Sequence, residues 1–202
     1  MFIGPENYAL ARNISSSGYV KVSQGQEARV GQFPHQLLLT TATGYPICGA
    51  ALITSIFALT AAHCVIGRTP SKLMIQSGRH RRSSDGSNLQ KVPVKNMVVH
   101  EHYNYKTHSN DIAMLLLSRE LNFDAYTSPI HVPINNTRYE EKAQVSGWGR
   151  IAEGGPLSDA LLWAEDGLKQ KLLIISLKSS VQRVYAAAQS ILNLKIQPIQ
   201  SQ

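Results

Sequence analysis

Short apolar runs separated by turn-forming residues dominate the chain from Gln36 onward, and this pattern most restricts the fold that the chain can adopt. Glycine, proline, serine and asparagine interrupt the runs, and no helical pattern of roughly 10–15 residues stands between them. Such spacing predicts an all-β sandwich or barrel rather than alternating strands and helices. The runs are Gln36–Thr40, Ala50–Thr54, Leu73–Gln76, Val92–His100, Ile112–Leu117 and Gln144–Ser146.

Charge and hydropathy exclude two broad classes of function. No apolar stretch approaches the roughly 18 residues of a membrane span, so we predict no stable span. The formal net charge of +7 raises the question of nucleic-acid binding. The densest cationic run, RHRR at positions 79–82, is followed by SSDGS, which is typical of a solvated loop rather than a groove-reading helix. We therefore predict no nucleic-acid partner, with binding of another polyanion as the alternative.

The two ends of the chain differ from its middle. Residues 1–21 are polar and serine-rich, and they lack the basic and apolar regions of a signal peptide. Residues 167–202 contain no acidic side chain but several cations. We interpret this basic tail as unpatterned or out of frame. The alternative is an amphipathic helix that binds a membrane surface or a partner, because apolar residues recur there at helical spacing.

The segment CGAALITSIFALTAAHCV, Cys48–Val65, carries the most specific motif. It strongly resembles the block around the catalytic histidine of chymotrypsin/trypsin-like serine proteases, and His63 matches that histidine. A serine hydroxyl is a poor nucleophile at neutral pH and needs an adjacent base of matched pKa, which imidazole provides. The resemblance also implies a disulfide between Cys48 and Cys64. Two reduced, buried thiols are the alternative.

A second block, SNDIAMLLLS, begins at Ser109 and resembles the segment that supplies the family's buried aspartate. Asp111 matches that aspartate, and it follows His63 by 48 residues, close to the interval in well-characterised members of the family. The chemistry needs a carboxylate that accepts the imidazole N–H and so fixes its tautomer. The resemblance therefore implies that Asp111 orients His63.

Weaker matches follow in the family's order. VSQGQEARVGQFPHQ resembles the mature start of such proteases, which implies zymogen cleavage between Lys21 and Val22. VVHEHYN, QVSGWGR and LSDALLWAE resemble three further family segments between Val98 and Glu165. The implied fold is a chymotrypsin-like double antiparallel β-barrel, with the first barrel complete and the second incomplete. We expect a leader at 1–21, a partial protease domain at 22–166 and a divergent tail at 167–202, helical or disordered.

The family's nucleophile lies in a GDSGGP block, and no such string occurs in these 202 residues. The oxyanion-hole amides and the base of the specificity pocket belong to the same part of the family's fold. We therefore expect a serine endopeptidase family member that is inactive as this chain and poorly stable alone. Three interpretations stay open: an incomplete record of a working endopeptidase, a non-catalytic homologue that binds or regulates, and a peripheral binding protein that uses the basic tail.

The remaining expectations concern ligands, partners and location. We predict no cofactor and no metal, because the region between the two blocks is cationic where calcium needs carboxylates. The resemblance implies protein or peptide substrates, protease inhibitors as further partners, and an extracellular location. Asn13 and Asn135 begin N-x-S/T sequons and are candidate glycosylation sites.

Overall fold

The computed structural model describes residues 25–131, 142–151 and 155–167. Strands dominate this part of the chain. Two single 3-10 turns, Ala62–Cys64 and Pro70–Lys72, lie in the connection between the strands Phe57–Thr60 and Leu73–Ser77. The strands are β1 (Gln26–Glu27), β2 (Gln36–Thr41), β3 (Pro46–Leu52), β4 (Phe57–Thr60), β5 (Leu73–Ser77), β6 (Gln90–Val99), β7 (Ala113–Leu117), β8 (Lys142–Gly147) and β9 (Leu162–Gly167).

Six of the strands close into an antiparallel barrel in the order β2-β3-β4-β7-β6-β5, and β5 pairs back onto β2. Closure pairs both edges of every barrel strand, which removes the exposed edges with which strands of other chains could pair. The register shifts within β2, between Leu39 and Thr40, and within β6, between Val94 and Asn96. Such irregularities bend a strand and increase its twist, as a small closed barrel requires.

The barrel interior follows from the period-two alternation of side chains along a strand. In the first half of β6, Val92 and Val94 are buried while Lys91, Pro93 and Lys95 face solvent. The interior is filled by aliphatic side chains from all six strands, with Leu121 from the following loop. The largest fully buried side chains of this interior are Leu37, Leu39, Leu52, Val65, Leu73, Ile75, Val92, Val94, Leu115 and Leu121.

The second sheet has the order β1-β9-β8 and packs on the outside of the barrel. Its apolar contact with the barrel is a small cluster in which Trp148 and Leu161 meet Phe33 and the outward-facing Leu38 of β2. Trp163 packs at the edge of this cluster. The indole Nε1 of Trp148 also donates a hydrogen bond of 3.1 Å to the carbonyl of His80. A hydrogen bond through an indole tip is the usual way in which a buried tryptophan satisfies its polar atom.

The cationic run at 79–82 lies in the loop between β5 and β6 and contacts the second sheet. The prediction of a solvated loop is wrong for Arg79. This side chain is buried, and its guanidinium donates to the backbone carbonyls of Arg81, Arg82 and Ser84 and contacts Asp85. A charged side chain tolerates burial when acceptors surround it.

The neighbouring cations of the run reach across to the second sheet. Arg81 contacts the carboxylate of Glu27 on β1 at 2.8 Å, and His80 contacts the same carboxylate at 3.0 Å. Arg82 donates through Nε to the carbonyl of Ser158 at 2.7 Å. The run therefore binds protein groups rather than facing solvent as a whole.

The predicted all-β, chymotrypsin-like fold is confirmed: a closed six-stranded barrel accompanies a second antiparallel sheet. The leader at 1–21 and the tail from residue 168 onward lie outside the described residues, so those boundaries stay predictions. Within the described ranges, no helix has the length and apolar character that crossing a bilayer requires.

Candidate active site

The pairing of β4 with β7 places His63 beside Asp111. In this antiparallel pair Thr60, the last residue of β4, lies opposite Ala113, the first residue of β7. His63 follows Thr60 by three positions on a 3-10 turn, and Asp111 precedes Ala113 by two. Both side chains therefore leave the barrel at the same end, although 48 residues separate them in the sequence.

Asp111 holds His63 through both of its carboxylate oxygens. Oδ2 lies 2.6 Å from the imidazole Nδ1, and Oδ1 accepts a hydrogen bond of 2.8 Å from the backbone N–H of His63. An ionised carboxylate has only acceptor sites, so it favours the tautomer in which Nδ1 carries the proton. The second nitrogen, Nε2, is then the acceptor, as a general base at that position requires.

The two groups differ in burial. The Asp111 side chain is 5% exposed, whereas the His63 side chain is 49% exposed. Burial alone would raise the pKa of Asp111, but hydrogen bonds from the side chain and backbone of His63, with the nearby charges of His63 and His108, hold that pKa below its usual value. Asp111 therefore stays ionised at neutral pH beside an imidazole that solvent can reach.

The predicted disulfide between Cys48 and Cys64 is confirmed. It joins β3 to the 3-10 turn that carries His63, with a Cα–Cα distance of 6.2 Å across a sequence separation of 16 residues. In the chain-entropy description a loop of this size stabilises the fold by about 3 kcal/mol. Cys64 is adjacent to His63, and its sulfur lies 3.4 Å from Nε2. The bridge thus restrains the backbone at the predicted base.

A nucleophile is missing from this half of the site. Among the described residues, no serine hydroxyl is hydrogen-bonded to the His63 imidazole, whose polar contacts are with Asp111 and Cys64. The arrangement can hold an imidazole in one tautomer and move a proton at Nε2. In the part of the chain that the structure describes, this arrangement contains no hydroxyl or thiol placed to attack a carbonyl.

Two further residues adjoin the site, and neither was predicted from the sequence as a site residue, although Tyr103 lies in the motif VVHEHYN. The His108 ring lies edge-on to the His63 ring, with 5.8 Å between ring centroids and an interplanar angle of 75°. The hydroxyl of Tyr103 lies 3.4 Å from Nδ1 of His108. Burial, followed by the charge of Asp111, raises the pKa of Tyr103, so its hydroxyl keeps its proton. The one signal for His108 in the sequence is its position three residues before Asp111.

The other predicted site residues are not tested by this part of the chain. Lys21 and Val22, at the expected activation cleavage, and the sequons at Asn13 and Asn135 lie outside the described residues. These assignments stay predictions.

Comparisons with known proteins place this geometry in a family. The trypsin family model matches residues 22–171, which cover the barrel, the second sheet and the His63–Asp111 pair. The chain belongs to the trypsin family. The match begins at Val22, the same residue that the sequence motifs indicated as the start of the protease domain.

Individual relatives agree with this assignment. Trypsin-1 of Astacus astacus is 35% identical over 143 residues, which cover 68% of this chain and 60% of the relative. A venom protease of Bombus pensylvanicus is 38% identical over 120 residues, covering 57% of this chain and 49% of the relative. A solved structure of human heparin binding protein superposes with a TM-score of 0.65 at 27% identity, covering 71% of this chain and 64% of that one. The chain thus spans about half to three fifths of the curated relatives it matches.

Proposed function

We propose that this chain carries the general-base half of a serine endopeptidase site, with His63 as the base and Asp111 as the residue that orients it. The 2.6 Å contact between His63 Nδ1 and Asp111 Oδ2 carries the proposal, because it leaves Nε2 as a proton acceptor. In a complete site, Nε2 would take the proton of a serine hydroxyl during attack on a peptide carbonyl. It would then give that proton to the leaving amine.

We further infer that these 202 residues do not hydrolyse peptides by themselves. They contain no GDSGGP string, so the serine and the amides that would stabilise an oxyanion are not supplied. An isolated base with its orienting carboxylate retains no covalent route to an acyl-enzyme. The substrates of a completed protein would be proteins or peptides, in keeping with the protease names of its relatives.

A chimera tests the proposal directly. The serine-bearing remainder of the Astacus astacus trypsin-1 is joined after Glu165, and the product is activated by cleavage at the Lys21–Val22 bond. We expect peptidase activity from the chimera, none from the 202-residue chain, and a fall in kcat of roughly 10⁴ or more in the His63→Ala chimera. His102→Ala, an exposed histidine of the neighbouring loop, is the matched control and should keep the activity. A folded chimera that is active without His63 would contradict the proposal.

A second candidate is a non-catalytic homologue that binds partners or regulates a protease. One similar structure is that of a protein named for heparin binding. In this chain Arg79, Arg81 and Lys91 each contact a carboxylate, which weakens their attraction for a polyanion. Retention of the full chain on immobilised heparin near physiological salt would support this candidate, and elution with the void volume would count against heparin as the partner.

We further propose an extracellular location. The Cys48–Cys64 disulfide supports it, because such bonds persist in oxidising compartments and are rare in the cytosol. Recovery of the native protein from cells with both cysteines reduced would contradict this location.

A further inference from the structure

Two imidazoles and one carboxylate converge beside the barrel end. His63, His108 and Asp111 each offer one ligand atom, and these atoms lie within 4.8 Å of one another. A tetrahedral zinc ion with bonds of roughly 2.0–2.2 Å needs ligand atoms about 3.3 Å apart. Side-chain shifts on the order of 1 Å would therefore complete such a geometry. Nitrogen and oxygen donors in this combination suit Zn²⁺ better than calcium or magnesium, which prefer oxygen alone.

We propose, contrary to the prediction of no metal made from the sequence, that His63, His108 and Asp111 form a Zn²⁺ site, with one nitrogen from each imidazole, one carboxylate oxygen, and water at the fourth position. The side chain of His63 is 49% exposed, so an ion can enter from solvent. The charge of Asp111 offsets part of the charge of the ion in a setting where its own side chain is 5% exposed. Three protein ligands with an open fourth position is a recurring arrangement for protein-bound zinc.

The loop that carries His108 is built to hold this ring in place. His108 and Asn110 have φ values of 54° and 55°, in the left-handed region that few residues other than glycine adopt. The backbone N–H of Asn104 donates to the carbonyl of Ser109 at 3.0 Å and closes the loop. The Tyr103 hydroxyl lies 3.4 Å from Nδ1 of His108, which leaves Nε2 for the metal. A polar partner on the second nitrogen is the usual means of orienting a histidine ligand.

A second group of potential metal ligands, Cys48, His63 and Cys64, does not form a competing zinc site. Cys48 and Cys64 also lie near His63, but their sulfurs are joined in the disulfide and provide no thiolate. Zinc binds thiolates rather than disulfides. Among the described residues, the imidazole–carboxylate cluster is therefore the group that can hold the ion.

Zinc at this site would remove the base character of His63 whichever nitrogen it binds. An ion on Nε2 occupies the lone pair that would accept a proton. An ion on Nδ1 leaves the imidazole proton on Nε2, which then donates instead of accepting. The site would thus act as a reversible antagonist of proton transfer. This consequence rests on the proposed function, whereas metal binding itself does not, so the two can fail independently.

Calorimetric titration of the full 202-residue chain with ZnCl₂ tests the site. We expect one bound Zn²⁺ whose affinity falls at least tenfold in His108→Asn, since asparagine tolerates the left-handed backbone but lacks the imidazole. His102→Asn, on the same loop and 67% exposed, is the matched control and should stay within twofold of the parent. An unchanged affinity in a folded His108→Asn chain, or no binding by the parent, would overturn the proposal.

A spectroscopic measurement keeps the test decisive if the variant does not fold. Imidazole ¹⁵N resonances of the unmodified chain are followed as ZnCl₂ is added. Shifts confined to two histidines, assigned as His63 and His108, support the site. Shifts that involve other histidines and spare this pair overturn it.

Discussion

A single residue, His63, satisfies both carboxylate oxygens of Asp111, one through its ring and one through its backbone N–H. The aspartate therefore fixes the backbone of the 3-10 turn as well as the orientation of the imidazole. Because the turn is also tied to β3 by the Cys48–Cys64 disulfide, two independent restraints hold the same histidine.

Replacing Asp111 by asparagine should change the tautomer of His63. The amide can still accept from the backbone N–H, but its NH₂ group would face Nδ1 and favour a proton on Nε2 instead. We expect imidazole ¹⁵N shifts to report this exchange, with a loss of unfolding free energy of about 1–3 kcal/mol. Asp124→Asn removes an exposed carboxyl of another loop and serves as control. An unchanged tautomer in Asp111→Asn would show that the carboxylate does not select it.

Acid should destabilise the fold, because several carboxyl pKa values are lowered in the folded state. Burial opposes the shift at Asp111, but its bonds with His63 lower its pKa below the usual 3.8. Hydrogen bonds from His80, Lys91 and Ser83 lower the pKa values of the three exposed carboxyls Glu27, Asp85 and Asp159, respectively.

The direction of this effect follows from proton linkage. A carboxyl with a lowered folded pKa contributes stability above its unfolded pKa and loses it as the pH falls through the folded value. Burial lowers the pKa of His35, so we expect a first, smaller fall in the urea midpoint as the pH drops below about 6.5. The steeper fall, from the carboxyls, should come between about pH 4 and about pH 2. A double variant, Glu27→Gln with Asp159→Asn, should show a smaller fall. A midpoint that rises on acidification would contradict the assignment.

Alanine at Gly78 should be far more disruptive than alanine at Gly44. Both glycines have positive φ, +71° and +89°, so both substitutions carry the left-handed cost of roughly 1–2 kcal/mol. A Cβ at Gly78 would lie 2.1 Å from the backbone carbonyl oxygen of Asn88, whereas nothing lies within 4 Å of one at Gly44. We expect Gly78→Ala to lose at least about 2 kcal/mol more than Gly44→Ala in chemical denaturation. Equal losses would mean that the chain segments relax apart.

Removing the Arg79 guanidinium should loosen the junction between the barrel and the second sheet. Its Nη1 donates to the carbonyls of Arg81, Arg82 and Ser84 at 2.8–3.0 Å, and these carbonyls would lose their donor in Arg79→Met. We expect a loss of about 3 kcal/mol in unfolding free energy.

The same Arg79→Met variant should alter tryptophan fluorescence. The chain has two tryptophans, and Trp148 donates to the carbonyl of His80, next to the substituted residue. A red shift in emission would report exposure of this indole. Lys95→Met, at an exposed position of β6, is the matched control and should change neither quantity. Native emission with full stability in Arg79→Met would show that the buried guanidinium is dispensable.

Much of the architecture and half of the candidate site were predictable from the sequence. Short apolar runs bounded by turn residues indicate antiparallel strands wherever they occur, because alternation and breakers are local properties. The blocks around His63 and Asp111 are also local strings, so the amino-acid order by itself indicates the family and both residues. The Cys48–Cys64 bridge followed from the same resemblance.

Only the tertiary structure decided how the distant segments meet. The pairing of Thr60 with Ala113 brings His63 to Asp111, and a loop with left-handed residues turns His108 towards the same point. Arg79 was expected in solvent because charged side chains usually stay hydrated. Its loop instead folds around the guanidinium and supplies backbone carbonyl acceptors, which the local sequence does not predict. Strand formation thus depends mainly on neighbouring residues in the sequence. Burial of a charge and assembly of a site depend instead on which distant segments the barrel closure brings together.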